Sequence, residues 1–319
     1  MSFIIAAIQD ALVRYAVPVF IMITGVLMGN PKRPISLKKL YSKSILRFIT
    51  AFLFWRIVYA MANKEFVLGI INRNFDIKNI DFKLSVHFWY MYMVIGLYML
   101  LPFLRMVTAS KKLMHYFVAL SVIFSFALPQ ILMLPFWEYS PALSKVVEEL
   151  QNYFYGSWMH HLGFGYYSYF VIGYYLSTIP IRKQELKKAL FSGIIGFLYT
   201  AIMTPLVSWA TNTKVEAFYN NMSLNVAAEA VCVFVVIRYF FENHPVSKVN
   251  AKRLSTASSY VFGIYLVHIL VLRVMTKLIR PVDMQPLWST PIIVILTFIV
   301  SYFISAILHK IPVVNKYIC

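Results

Sequence analysis

Apolar residues occur along the chain in nine runs, each long enough to cross a membrane as a helix. About 20 mainly apolar residues are needed for one crossing. The runs lie at residues 11–29, 45–62, 88–106, 113–133, 160–178, 189–210, 222–241, 258–279 and 290–309. No internal repeat or second domain is visible in the sequence. We therefore predict an all-α fold, a polytopic membrane helix bundle that forms a single integral membrane domain over residues 1–319.

The composition agrees with this class of protein. Hydrophobic residues make up 60% of the chain and charged residues 13%, whereas soluble domains contain about 25% charged residues. The two cysteines, Cys232 and Cys319, are too few for a disulfide framework or a metal cluster. The sequence contains no glycine-rich phosphate loop and no zinc-binding motif. We therefore predict no metal and no nucleic-acid partner.

Basic residues outnumber acidic residues by 30 to 12, and they concentrate at alternate ends of the apolar runs. Lys and Arg accumulate on the cytoplasmic side of membrane proteins, so we predict a cell (inner or plasma) membrane protein with a cytoplasmic C-terminus. The same charges favour contact with anionic lipid headgroups. Nine crossings then place residue 1 outside the cell. Because that arrangement is unusual without a signal sequence, we expect that a first helix is missing from this chain.

Ionisable side chains inside the apolar runs are the candidates for chemistry, because each costs a few kcal/mol at membrane depth. Glu229 lies about two turns from the outer end of its run, and His268 lies near the middle of another. His87 lies at the outer end of the run 88–106, and a histidine exchanges protons near neutral pH. We predict catalytic roles for these three residues. The alternatives are a structural ion pair between Glu229 and Arg56, and histidines that are only hydrogen-bonded within the bundle.

Three further side chains near the predicted outer surface are candidates for substrate binding: Arg14, Arg56 and Trp89. Arg14 lies in the first turn of the first run, and Arg56 lies in the outer half of the second. The flat ring of Trp89 suits a sugar. Two alternatives involve the lipid: Arg14 extends to the headgroups, and Trp89 anchors the chain at the membrane interface.

Four stretches, in order along the chain, resemble a known family. They are AVPVFIMITGVLM directly after Tyr15, HFWYMYMVIGLYMLLPFLR at 87–105, FVIGYYLS at 170–177 and FGIYLVHILVL at 262–272. Together they resemble acyltransferase family 3, a family of membrane O-acyltransferases. The similarity is greatest to members that O-acetylate surface glycans, such as the enterobacterial common antigen acetyltransferase.

This resemblance implies a fold of ten helices, of which about nine are present here. It implies that acyl-CoA, foremost acetyl-CoA, approaches from the cytoplasm and acylates a hydroxyl of a cell-surface or lipid-linked glycan. The family's first helix carries a basic residue and a histidine central to catalysis. Because that is the helix expected to be missing, we expect little or no transferase activity from a chain that lacks it.

The resemblance also directs attention to the cytoplasmic foot of the second run. The family pattern Arg-x-x-Arg is represented there by SILR, which keeps Arg47 but has Ser44 in the first place, with Lys43 beside it. Arg and Lys are the usual partners of phosphate groups, so we predict that Arg47 and Lys43 bind CoA. The alternative is that the cluster only reflects the excess of positive charge on the inner side.

The predicted function is therefore a membrane O-acyltransferase, with acyl-CoA, a glycan or lipid-linked sugar acceptor and membrane lipids as partners. One alternative is a transporter or exporter of a glycan precursor or a small anionic solute, which would use the intramembrane charges as its pathway. The internal symmetry of many transporters is not visible in this sequence. Another alternative is a catalytically inactive partner in a cell-envelope assembly.

Overall fold

The apolar runs form helices, as predicted. The computed structural model describes residues 2–63, 67, 71, 82–134, 136–137, 140–154, 164–213, 215, 217–281 and 284–318. The main helices in these ranges are α1 (Ser2–Ala11), α2 (Ala16–Met28), α3 (Leu37–Met61), α4 (Trp89–Met99), α5 (Leu101–Thr108), α6 (Lys111–Leu132), α7 (Pro141–Phe154), α8 (Phe164–Thr178), α9 (Lys183–Thr211), α10 (Leu224–Asn243), α11 (Lys248–Ser259), α12 (Val261–Ile279), α13 (Pro286–His309) and α14 (Pro312–Tyr317). A 3₁₀ segment, Phe82–Phe88, leads into α4. The predicted all-α class is confirmed.

Seven helical segments of the described chain are long and apolar enough to cross a membrane, and an eighth follows if one broken helix counts as a single span. Six of the seven are α3, α6, α9, α10, α12 and α13, and the seventh is Phe3–Met28, which combines α1 and α2. The broken one is Ser85–Met99 followed by Leu101–Thr108. The run predicted at 160–178 appears as α8 with 15 residues, and its first four residues lie outside the described part. The chain is a multi-pass membrane protein.

Two predicted boundaries were wrong. The first run was predicted to begin at residue 11 with Arg14 in its first turn, but a helix, α1, already covers Ser2–Ala11, and Arg14 lies in the turn between α1 and α2. The run 88–106 is not continuous either, because a new helix begins at Leu101 with Pro102 in its first turn. Proline lacks a backbone N–H and clashes with the carbonyl four residues earlier, so it is tolerated at a helix start and interrupts a helix interior.

Contacts between Cα atoms divide the chain into two compact units. Unit 1 comprises residues 1–34 and 99–245. Its α2 and α8 approach so closely that a Cβ built on Gly173 would lie 2.2 Å from the Met22 carbonyl oxygen, and one on Gly25 would lie 2.0 Å from the Phe170 carbonyl oxygen. Helices α9 and α10 also pack along each other. Small residues allow this approach, which supplies much of helix association inside a membrane.

Unit 2 comprises residues 35–98 and 246–319. Helices α12 and α13 pack along each other, and a buried cluster that includes Trp55, Tyr59 and Leu266 forms its core. The C-terminal α14 packs on α3. Two hydrogen bonds hold that end of the chain: Thr50 donates to the Tyr317 carbonyl at 2.7 Å, and the Trp55 indole donates to the Ile318 carbonyl at 3.1 Å.

Candidate functional site

Unit 2 contains a cavity of about 830 Å³ beside the N-terminal part of α3. Three basic side chains line it, Lys43, Arg47 and Lys316, and among the lining residues that the structure describes none is acidic. The other lining residues are small polar or apolar, with a high share of aromatic rings: Ser42, Ser44, Leu46, Phe48, Tyr98, Ser259, Phe262 and Tyr317. The cavity therefore combines positive charge with flat apolar surface. This chemistry suits an anion that also carries an aromatic or aliphatic part.

The helix that carries Lys43 and Arg47 is not a regular α-helix at this point. Ser36 caps its start by accepting a hydrogen bond from the Lys39 N–H, and residues Leu40–Ile45 then form a π-helical turn. A π-helical turn holds an additional residue and is often found at functional sites. Arg47 follows this turn by two residues, and its guanidinium lies 5.8 Å from the centre of the Phe262 ring.

Aromatic rings on one face of α12 lead from the cavity to a pair of histidines. Phe262, which lines the cavity, is stacked on Tyr265 with the ring centres 6.4 Å apart. Tyr265 lies 5.9 Å from the His268 ring and 5.5 Å from the His87 ring. His268 follows Phe262 by six residues, about 9 Å along the helix axis. Helix α12 therefore carries one residue of the cavity lining and one of the two histidines, and His87 of the 3₁₀ segment contacts the same helix at Tyr265 and His268.

The two histidines lie side by side, with their ring centres 5.1 Å apart. His268 Nδ1 is 2.6 Å from the Tyr265 carbonyl oxygen. A carbonyl can only accept a hydrogen bond, so Nδ1 carries the proton, and Nε2 of the neutral ring carries a lone pair. Both ring nitrogens of His87 are buried and have no hydrogen-bond partner among the described residues. Buried polar atoms are nearly always hydrogen-bonded, so this imidazole is available to a ligand.

Backbone and side-chain contacts hold the His87 segment in place. The Tyr265 hydroxyl donates to the His87 carbonyl at 2.6 Å. Two residues earlier, Ser85 is buried and accepts a hydrogen bond from Arg56. The Arg56 guanidinium also lies 5.6 Å from the Phe52 ring centre. Arg56 therefore helps to fix the start of the helix that presents His87.

Unit 1 contains a second buried polar group, centred on Glu229, which is 4% exposed. Gln130 donates to the Asn225 side-chain oxygen at 2.8 Å, Asn225 donates to the Thr200 hydroxyl at 2.6 Å, and Thr200 lies 2.9 Å from a Glu229 carboxylate oxygen. The Thr200 hydroxyl is also 2.9 Å from the Gly196 carbonyl, which competes for its single proton. The chain of donors ends at the carboxylate.

A comparison with known proteins decides the family. The model of the acyltransferase domain of acyltransferase family 3 matches residues 1–308. The chain belongs to acyltransferase family 3. Comparisons with curated proteins and with solved structures gave no match. Family membership supports a membrane acyltransferase in general terms and confirms the family resemblance carried by the four stretches.

For this acyltransferase, the structure brings some of the predicted site residues together. Lys43 and Arg47 line one cavity, and His87 and His268 are neighbours; all four lie in unit 2. Trp89 is also in unit 2 and is 37% exposed, directly after the 3₁₀ segment that carries His87.

The remaining predicted site residues have other surroundings. Arg14 and Glu229 belong to unit 1, and Arg56 belongs to unit 2. Arg14 forms an ion pair with Asp10, four residues earlier, and lies 4.4 Å from the Tyr219 ring centre. Arg56 donates a hydrogen bond to Ser85, and Glu229 accepts one from Thr200.

Two residues of the candidate site were not predicted from the sequence, Lys316 and Tyr265. Lys316 was counted only as one of the basic residues on the predicted cytoplasmic side, which is also the side assigned to Lys43 and Arg47. Tyr265 precedes His268 by three residues, and residues three apart share a helix face, so this spacing was the available signal. Among the described residues, no group of three or more His, Cys, Asp or Glu side chains is placed to hold a metal ion.

Proposed function

We propose that this acyltransferase is an O-acetyltransferase that takes the acyl group from acyl-CoA, foremost acetyl-CoA, and passes it to a hydroxyl of a cell-surface or lipid-linked glycan. One observation carries the proposal. The cavity and the histidine pair both contact α12, where Phe262 of the cavity lining is stacked on Tyr265 and Tyr265 contacts both histidine rings. A site for an anionic donor and a site for proton transfer are thus adjacent to each other in unit 2.

The cavity fits the CoA moiety by the chemistry of its side chains. Lys43 and Arg47 are donors of charge-assisted hydrogen bonds, which are short and strong with phosphate oxygens. Phe48, Tyr98 and Phe262 offer ring faces for the adenine and for the apolar part of the pantetheine arm. An adjoining carboxylate would repel the phosphates, and the described lining has none.

The histidines supply the proton transfers. When bound, acyl-CoA supplies the thioester carbonyl. His268 Nε2 accepts the proton of the acceptor hydroxyl as that oxygen attacks the carbonyl carbon, and His268 returns the proton to the sulfur as the carbon–sulfur bond breaks. His87 donates a hydrogen bond to the carbonyl oxygen while negative charge develops there. General acid–base catalysis of this kind contributes about 10²–10⁴-fold, and a donor aimed at a developing oxyanion contributes about 10²–10³-fold.

The acceptor is assigned to the side of the histidines that carries Trp89 and Arg56. A sugar ring stacks well on an indole face. Arg56 donates a hydrogen bond to Ser85, which belongs to the 3₁₀ segment directly before Trp89. Arg14, in unit 1, remains a predicted acceptor-binding residue, and a catalytic role of Glu229 remains a prediction that this mechanism does not require. The acceptor specificity fits the predicted cell membrane location with a cytoplasmic C-terminus.

The first test uses the purified protein in a neutral detergent with radiolabelled acetyl-CoA. We expect release of CoA thiol and, with a suitable glycan acceptor, transfer of label to the sugar; this result would overturn the expectation, drawn from the family resemblance, that a chain without the family's first helix has little or no transferase activity. Arg47→Gln should raise the KM for acetyl-CoA about tenfold, since one charge-assisted hydrogen bond is lost. Lys252→Gln, an exposed residue of α11 outside the cavity lining, is the matched control and should leave the KM unchanged.

The transporter alternative predicts a different result in the same preparations. It predicts neither hydrolysis nor exchange of acetyl-CoA, together with uptake of an anionic solute by vesicles that contain the protein. That combination would overturn the proposed function. Acetyl-CoA turnover that Arg47→Gln does not affect would leave the acyltransferase class intact and remove the donor site from this cavity.

A further inference from the structure

The C-terminal residues 312–318, called the C-terminal strap below, form part of the wall of the donor cavity. Two of the strap's residues, Lys316 and Tyr317, line the cavity beside Lys43 and Arg47 of α3. The Lys316 ammonium lies 4.8 Å from the centre of the Tyr317 ring. The strap thus brings a third positive charge and an aromatic face from the far end of the chain to the donor cavity.

The strap is held on the same helix that carries the other two cations. Thr50 lies one turn beyond Arg47 on α3 and donates to the Tyr317 carbonyl, and Trp55 donates to the Ile318 carbonyl. Because both contacts join the strap to α3, Lys316 has a fixed place relative to Lys43 and Arg47.

The three cations differ in exposure. Arg47 is half-buried, whereas Lys43 and Lys316 are exposed. CoA carries a diphosphate and a separate phosphomonoester, and a phosphomonoester has nearly two negative charges at neutral pH. The more strongly charged and hydrated group is favoured nearer to water, where a lysine ammonium can bind it as a compact point charge.

We propose that Lys316 is a substrate-binding residue that pairs with the phosphomonoester of acyl-CoA and that the C-terminal strap is an integral part of the donor site. This inference rests on the proposed function, because it names a partner for one group of the same donor. The shared chemistry is that of a phosphate ester anion, and an anionic lipid headgroup is the other source of such a group.

The test measures binding to the full-length protein in neutral detergent by calorimetry, so it does not depend on turnover. The probes are CoA and dephospho-CoA, which lacks the phosphomonoester. Lys316→Gln should weaken CoA binding about tenfold and should change dephospho-CoA binding less than twofold. Lys310→Gln is the matched control, because this exposed lysine lies just before the strap and outside the cavity lining.

A second pair of variants tests the strap without removing a charge. Thr50→Val and Trp55→Phe each remove one donor to the strap, and the double variant should weaken CoA binding several-fold. A variant that no longer purifies as a single species is replaced by Thr50→Val alone, which deletes one hydroxyl from a half-buried position.

The outcomes separate the two proposals. If the wild-type protein binds neither CoA nor dephospho-CoA, the proposed function fails and the inference fails with it. If the wild-type protein binds CoA but Lys316→Gln binds it equally well, or loses CoA and dephospho-CoA equally, only the inference is overturned.

Titration with phosphatidylglycerol tests whether Lys316 binds an anionic lipid headgroup instead of CoA. An effect of Lys316→Gln on lipid binding without an effect on CoA binding would assign the residue to headgroups and overturn the inference.

Discussion

The two units each contain a buried polar centre, and the centres differ in how their hydrogen bonds are used. Around Glu229 in unit 1, donors and acceptors pair with one another from Gln130 through Asn225 and Thr200 to the carboxylate. Around His87 in unit 2, two buried ring nitrogens have no partner among the described residues. A network whose members satisfy one another stabilises a fold. Polar atoms that are left open are available for a substrate.

From this comparison we propose that the chemistry lies in unit 2 and that the network of unit 1 has a structural role, while the catalytic role predicted for Glu229 stays a prediction. Depth in the membrane alone would have ranked Glu229 beside the histidines, because any ionisable side chain there is costly. Their hydrogen bonds distinguish them, because Glu229 accepts one from Thr200, whereas the His87 ring nitrogens have no partner among the described residues.

His268→Gln should have the largest effect, because it removes the base. We expect acetyl transfer to fall by about 10²–10⁴-fold with CoA binding within a factor of two of wild type. The measurement is kcat for transfer, beside CoA affinity. His309→Gln, a histidine of the same unit that packs against Tyr260, is the control. Full activity of His268→Gln would remove the chemistry from the histidine pair.

Gly173→Val should disrupt unit 1 by packing alone. Its side chain would meet the backbone of α2 at Met22, which cannot move aside as a side chain can. Overpacking of this kind costs about 1–3 kcal/mol, so we expect a lower thermal midpoint in detergent. Leu27→Ala on α2 changes a residue that is 61% exposed, and it should leave the thermal midpoint nearly unchanged. An unaltered midpoint for Gly173→Val would contradict the close approach of α2 and α8.

Trp89→Ala should have a moderate effect confined to the acceptor. Loss of an exposed aromatic platform costs about 0.5–1.5 kcal/mol, so the KM for the glycan should rise a few-fold while the KM for acetyl-CoA stays constant. Trp288→Ala, another exposed tryptophan of unit 2, serves as the control. Equal changes in both KM values would indicate a general role at the membrane interface instead.

Glu229→Gln should have the smallest effect and tests the comparison most directly. The amide oxygen of Gln can still accept from Thr200, so we expect transfer activity within about twofold of wild type. Glu229→Leu removes that acceptor, but Thr200 can turn to the Gly196 carbonyl, so the cost in stability should be only about 1 kcal/mol. Loss of kcat in Glu229→Gln with normal folding would show that unit 1 takes part in the chemistry.

The spans could be predicted from the sequence because crossing a membrane depends on the length of a local apolar run. Seven of the nine runs correspond to helical segments that are long and apolar enough. The additional helices α7 and α11 were not predicted, because they contain many polar residues and the prediction used only long apolar runs. The break at Leu100 depends on the place of Pro102 in a helix, which apolar length does not report.

The candidate site was predicted only in part, for a geometrical reason. Lys43 with Arg47, four residues apart, could be grouped from the sequence. The approach of α3, α12 and α14 around one cavity depends on tertiary packing between segments more than 200 residues apart. The alternative ion pair between Arg56 and Glu229 was based on their similar depth alone, and it stays a prediction.

The close contact between α2 and α8 also sets an order of events during synthesis. About 145 residues separate Gly25 from Phe170, which takes on the order of ten seconds to translate at about 5–20 residues per second. Throughout that interval the glycine face of α2 has lipid or the insertion machinery as its neighbour. Helix α2 therefore waits in the membrane for a partner that is synthesised about 145 residues later.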